Sequence, residues 1–126
     1  MGDELRLRLE AEARRLADVR SAIRAWLSSL QVDRPEDVVL AVDEAVANAI
    51  EHSRHKQLAP AFIDVIAKTD GDAIRVDVMN DGSWRPQQVD ETRGRGLNII
   101  GALMDDVRVA STSSGTRVTM YRRMER

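Results

Sequence analysis

The chain has 126 residues, a formal net charge of −2 and no cysteine. That length supports one domain with a real core, and the near-neutral balance argues against a general nucleic-acid binder, which carries a basic excess. The missing cysteines exclude disulfides, thiolate metal sites and thiol catalysis, and fit a cytoplasmic protein.

The pattern along the chain changes period several times. Leu5, Leu7 and Leu9 alternate with Arg6, Arg8 and Glu10, which predicts a short strand with one wet face. From about Ala11 the apolar residues Leu16, Val19, Ile23, Trp26, Leu27 and Leu30 recur at three and four, the signature of an amphipathic helix. Asp33-Arg34-Pro35 ends it, with Asp33 the expected cap of a second helix over Pro35–Ser53. That helix is apolar almost all round, as buried helices are. Strands follow at Ala61–Lys68 and Ala73–Asn80, joined by the turn Thr69-Asp70-Gly71-Asp72. A polar loop runs from Asp81 to Arg95, and a short helix covers Gly96–Met104. Two last strands, Val107–Ser111 and Thr116–Arg122, complete a β-α-α-β-β-α-β-β order. Such an order packs as an α+β fold with helices on one face of a mixed sheet. No apolar run approaches the ~18 residues of a membrane span, and Met1-Gly2-Asp3-Glu4 lacks a secretory signal pattern. A Gly after the first Met is also what a domain excised from a larger protein carries.

Four polar and glycine motifs sit between these elements. Glu44 and Asn48 are one helical turn apart on the second helix, so both project from one face. They read either as a solvated stripe or as a carboxylate and an amide facing a cavity. In the second reading the amide oxygen suits Mg²⁺, and the carboxylate can orient or deprotonate a hydroxyl. Asn80-Asp81-Gly82-Ser83 ends a strand, as a plain turn or as a reader of a ligand's polar edge. Gly94-Arg95-Gly96-Leu97 opens a helix, where backbone N–H groups bind phosphate and Arg93 and Arg95 add charged donors. Gly115-Thr116 alone reads as a hairpin turn. His52 and His55 lack the further ligands a metal site needs. Trp26 belongs at a core position, whereas Trp84 in the polar loop has no such place in the pattern and could cover a bound base.

In this order the motifs resemble those of the small bacterial anti-sigma-factor serine/threonine kinases (RsbW/SpoIIAB-like). These belong to the ATPase group shared by histidine kinases, gyrase B, Hsp90 and MutL. Leu40 to His52 looks like the family's N box, Gly94-Arg95-Gly96-Leu97 like its second glycine box, and Gly115-Thr116 like its closing pair. The resemblance implies one histidine-kinase-like domain over residues 1–126, with a two-layer Bergerat ATP-binding fold and a mostly antiparallel sheet. It implies Mg-ATP as cofactor, Asn48 as Mg²⁺ ligand and Glu44 as general base. Asn80 and Gly82 of the first glycine box, Arg93, Gly94, Arg95, Gly96 and Leu97 of the lid, and Thr116 near the adenine would bind the nucleotide. It further implies a STAS-domain anti-anti-sigma factor as substrate, a sigma factor as second partner, a homodimer, and Arg20 as a partner contact. The sequence departs from the family where Asn80 replaces the usual Asp, where Trp84 takes a glycine's place, and in a short lid. The alternative is therefore a kinase-like binding module that grips a protein without catalysis, or the regulatory domain of a larger phosphatase–kinase protein.

Overall fold

The computed structural model describes residues 4–54, 61–80, 96–112 and 115–124. Its elements follow the expected order. They are β1 (Glu4–Glu10), α1 (Leu16–Ser28), α2 (Pro35–Arg54), β2 (Phe62–Asp70), β3 (Ala73–Asn80), α3 (Gly96–Leu103), β4 (Asp106–Thr112) and β5 (Gly115–Arg123). A 3-10 turn at Ala13–Arg15 leads into α1, so the first helix starts later than the apolar spacing predicts. It also ends earlier. Ser28 and Ser29 turn their hydroxyls back onto the carbonyls of Ala25 and Trp26, at 2.7 and 2.8 Å. Such back-bonding competes with continuing the helix, and Leu30 packs from the turn that follows.

The five strands form one sheet in the order β1-β2-β3-β5-β4. All four pairings are antiparallel, so the expected mixed sheet has no parallel pair among the described strands. The tight β2–β3 turn accounts for one pairing, with Asp70 opposite Ala73 and Gly71 at φ 63° between them. A side chain is disfavoured there by backbone conformation alone, since a Cβ on Gly71 would meet nothing within 4 Å.

Alternation assigns the faces. Leu5, Leu7 and Leu9 lie opposite Ala67, Val65 and Ile63. These continue across the sheet to Val76 and Val78, then to Met120 and Val118. This row packs under the helices, buried from β2 to β5 and partly buried at the three leucines of β1. The other face carries Arg6, Arg8, Asp64, Lys68, Arg75, Asp77, Arg108, Arg117 and Tyr121. On it Arg75 and Arg108 stand over the Tyr121 ring, their guanidinium carbons 5.8 and 5.6 Å from its centroid.

Helix α2 lies between α1 and α3 and packs onto β3 and β2. Ile23 and Leu27 of α1, Val38, Val42 and Val46 of α2, and Ile100 of α3 are wholly or almost wholly buried. Each such side chain contributes about 1.5–3 kcal/mol by leaving water. Trp26 joins this core, as its helical spacing predicts. Arg122 ties the layers together: its guanidinium donates to the Leu103 and Asp33 carbonyls at 3.0 and 3.2 Å, and Asp37 lies 3.7 Å away.

The start of α2 differs from expectation. The Asp33 side chain makes no capping hydrogen bond among the described residues. Arg34 stands directly before Pro35 with φ 53°, and its carbonyl accepts from the Asp37 N–H at 3.0 Å. A residue before proline is pushed out of the helical region, so the chain enters α2 through Arg34 and leaves Asp33 one residue too far out.

Candidate functional site

Between Val38 and Glu51 helix α2 is buried except along one line. Leu40, Asp43, Glu44, Ala47, Asn48 and Glu51 are the positions from Val38 to Glu51 that retain exposure, and they recur at three and four. This is one face of a helix. Glu44 and Asn48 lie in the middle of it, half-buried, and neither side chain has a hydrogen bond or ion pair among the described residues. A carboxylate and an amide on a half-buried line of an otherwise apolar helix have lost part of their water without gaining a protein partner. Ala47 beside them adds no bulk.

Asp43, the neighbour of Glu44, is occupied. Its Oδ1 accepts from Arg20 of α1 at 2.9 Å. The structure thus places Arg20, the expected partner contact, beside the α2 stripe and ion-paired to it. Sequence reading gave Asp43 no role. Its partner lies 23 residues away, and only helix packing brings the two together.

At the end of β3, Asn80 faces Thr116 of β5 across the ladder. Both lie on the helix-covered face, 5% and 4% exposed. The Thr116 N–H donates to Asn80 Oδ1 at 3.3 Å, while Asn80 Nδ2 is buried with no hydrogen-bond partner among the described residues. Two residues singled out 36 positions apart are therefore joined by a hydrogen bond. No described hydrogen bond links this pair to Glu44 or Asn48.

Gly96 is the first residue of α3 and Leu97 the second, so the helix opens where the glycine motif predicts. Gly82, Trp84, Arg93, Gly94, Arg95 and His55 lie outside the described residues. No cluster of acidic or histidine side chains able to hold a metal occurs among the described residues.

On the open sheet face, Asp77 accepts from the Thr119 hydroxyl and, at 3.1 Å, from Arg75 Nε. That hydrogen bond is the main cause holding the Arg75 guanidinium more firmly protonated than usual. This cluster faces away from α2. Two grooves of about 400 and 450 Å³ run along β1, one toward α1 and one across the sheet, and hold none of the expected site residues.

The profile of the histidine kinase-like ATPase domain family matches residues 9–122, from the end of β1 to the end of β5. The chain belongs to that family. This histidine kinase-like ATPase domain also superposes on a solved structure from Mycobacterium tuberculosis, that of the RsbU and RsbW domains of Rv1364c. The TM-score is 0.79 and the identity 29%, over 98% of this chain and 33% of that one. The chain thus spans about a third of the protein it matches. The RsbW-like anti-sigma-factor kinase resemblance and the α+β fold with helices on one sheet face are both borne out.

An ATPase domain family implies ATP, usually with Mg²⁺, and the residues present fit both ends of such a ligand. The Glu44–Asn48 pair supplies hard oxygen donors that no described side chain satisfies, which suits a cation shared with phosphates. The buried Asn80 amide has a donor with no partner among the described residues, which suits the polar edge of a base. No described helix is long and apolar enough to cross a membrane.

Proposed function

We propose that this chain is an anti-sigma factor and protein serine/threonine kinase. It binds Mg-ATP, phosphorylates a STAS-domain anti-anti-sigma factor and controls a sigma factor by partner switching. The observation that carries this reading is the Glu44–Asn48 pair, half-buried on the accessible line of α2 between Val38 and Glu51 and without a side-chain partner among the described residues. Membership of the histidine kinase-like ATPase domain family supports it.

Phosphoryl transfer asks a protein mainly for positioning and charge neutralisation. In this reading Asn48 contributes its amide oxygen to the Mg²⁺ site, and Mg²⁺ when bound neutralises phosphate charge. Glu44, one turn away, orients the substrate hydroxyl and takes its proton. Arg93 and Arg95 hold the phosphates with the backbone of Gly94, Gly96 and Leu97, while Asn80, Gly82 and Thr116 hold the base. Arg20 meets the protein partner from α1, steered by Asp43. The domain works as a homodimer in the cytoplasm, and the matched Mycobacterium protein supports a place within a longer regulator.

Labelled phosphate transfer from ATP to STAS-domain proteins tests this. Glu44→Ala should cut the rate by about 10²–10⁴, the usual contribution of a positioned base, and leave nucleotide affinity within a few-fold. Transfer at the wild-type rate in that variant would remove Glu44 from the reaction.

Asn80, where the resemblance calls for a carboxylate, favours a second reading: a binding module that has lost catalysis. It differs in one outcome, a partner affinity indifferent to ATP.

A further inference from the structure

Among the described residues two large apolar side chains are exposed, Leu40 at 50% and Ile99 at 45%. A lone exposed leucine is ordinary, but the place of this one is not. Leu40 opens the accessible line of α2, four residues before Glu44 and eight before Asn48. Residues four apart share a helix face, and each such step covers about 6 Å of the axis. Its neighbours Val38, Val39, Ala41 and Val42 are 0–2% exposed. Leu40 is thus the large apolar side chain that this stretch of α2 turns outward.

Two ion pairs bracket it. Glu36, four residues earlier, accepts from Arg24 of α1 through both carboxylate oxygens, and Asp43, three residues later, accepts from Arg20 Nη1. Residues three and four apart adjoin on a helix, so the α1 edge that carries Arg20 and Arg24 runs beside Leu40. Both carboxylates are engaged by it. The Arg20 side chain is 38% exposed, and its Nε and Nη2 donate to no described group. The surface next to Glu44 is therefore an apolar spot with a cationic rim.

We infer that Leu40 sets substrate specificity by taking an apolar side chain within two residues of the acceptor hydroxyl on the protein substrate. This rests on the proposal that Asn48 serves the phosphate end of the nucleotide and Glu44 meets that hydroxyl. Attacking and leaving oxygens stand roughly in line in phosphoryl transfer. The nucleotide takes the Asn48 side of Glu44, so the acceptor chain lies on the other side, toward Leu40. An extended chain advances about 3.3 Å per residue, so two residues from the acceptor span the ~6 Å step to Leu40. The Arg20 edge disfavours a basic residue there. The segment that fits is apolar beside the hydroxyl and neutral or acidic beyond it. Covering Leu40 is the same in the ground and transition states, so it lowers KM and leaves kcat alone.

Steady-state transfer from Mg-ATP to the STAS-domain protein that the wild type phosphorylates reads this directly. Leu40→Ala should raise the KM for that protein about tenfold, the worth of covering a half-exposed leucine. The kcat, the KM for ATP and the melting temperature should stay near wild type, and Leu40→Met should restore the protein KM. Exchanging the apolar neighbour of the acceptor for Ser in the substrate should cost the wild type as much and Leu40→Ala little. An unchanged protein KM in Leu40→Ala, or an equal rise in Leu40→Met, would overturn the inference and leave the kinase reading standing. So would a loss confined to kcat, or a substrate with no apolar residue within two of its acceptor. Absence of transfer by the wild type to any STAS-domain protein would overturn the kinase reading and the inference with it.

Discussion

Asp43 and Glu44 are consecutive carboxylates with different surroundings. The first is held by Arg20 at 2.9 Å, whereas the second has no described partner. Nothing in the local sequence separates them. Their difference arises because α1 crosses α2 on one side only. Asn48 and Glu44 were legible from their spacing on an apolar helix; the Arg20–Asp43 pair was not, since spacing carries no signal between helices. Arg34 is the residue-scale surprise. Its φ of 53° places a side chain in the left-handed region, which costs about 1–2 kcal/mol in an L-residue. Glycine there would remove the strain and give back about 0.5–1 kcal/mol through its looser unfolded chain. Arg34→Gly should therefore raise unfolding free energy by about 0.5–1 kcal/mol in a urea titration, given these two terms. A loss of stability would show that Arg34 has native contacts worth more than the strain.

Helix α2 is the element on which the site depends, and its ends matter more than its propensity. Arg24 of α1 reaches Glu36 in the first turn of α2 with two hydrogen bonds, at 2.8 and 3.1 Å. Those bonds are the main reason the Glu36 carboxyl titrates below its ordinary value of 4.5. A carboxyl with a lowered folded pKa adds stability that is present above the unfolded value. That stability disappears as pH falls through the folded one. Glu36→Gln should therefore melt slightly below wild type at pH 7, and the gap should close as the pH falls through the folded pKa of Glu36. A gap that does not narrow as the pH is lowered would assign the effect to packing instead of charge. The side chains are exposed, so the gap at pH 7 is small. The helix itself was legible from its apolar pattern and Pro35. Its entry was not, because the Asp33 cap expectation ignored the constraint that proline places on Arg34.

At the scale of the molecule, the sheet was legible as strands but not as an order. Period-two alternation placed Val76 and Val78 on one face and Arg75 and Asp77 on the other. Only the ladder shows β5 inserted between β3 and β4, which brings Thr116 to Asn80. That insertion converts two motifs far apart in sequence into one buried pair. The α2 stripe supplies the other half of the proposed site, and the lid motif Arg93-Gly94-Arg95 lies outside the described residues. The central claim is that these parts hold a magnesium nucleotide through Asn48. Calorimetric titration of ATP with and without Mg²⁺, into wild type and Asn48→Ala, tests it most directly. The account predicts binding that needs Mg²⁺ and is lost in the variant, whose fold and melting temperature stay near wild type. Binding equally strong without Mg²⁺, or unchanged in Asn48→Ala, would contradict it.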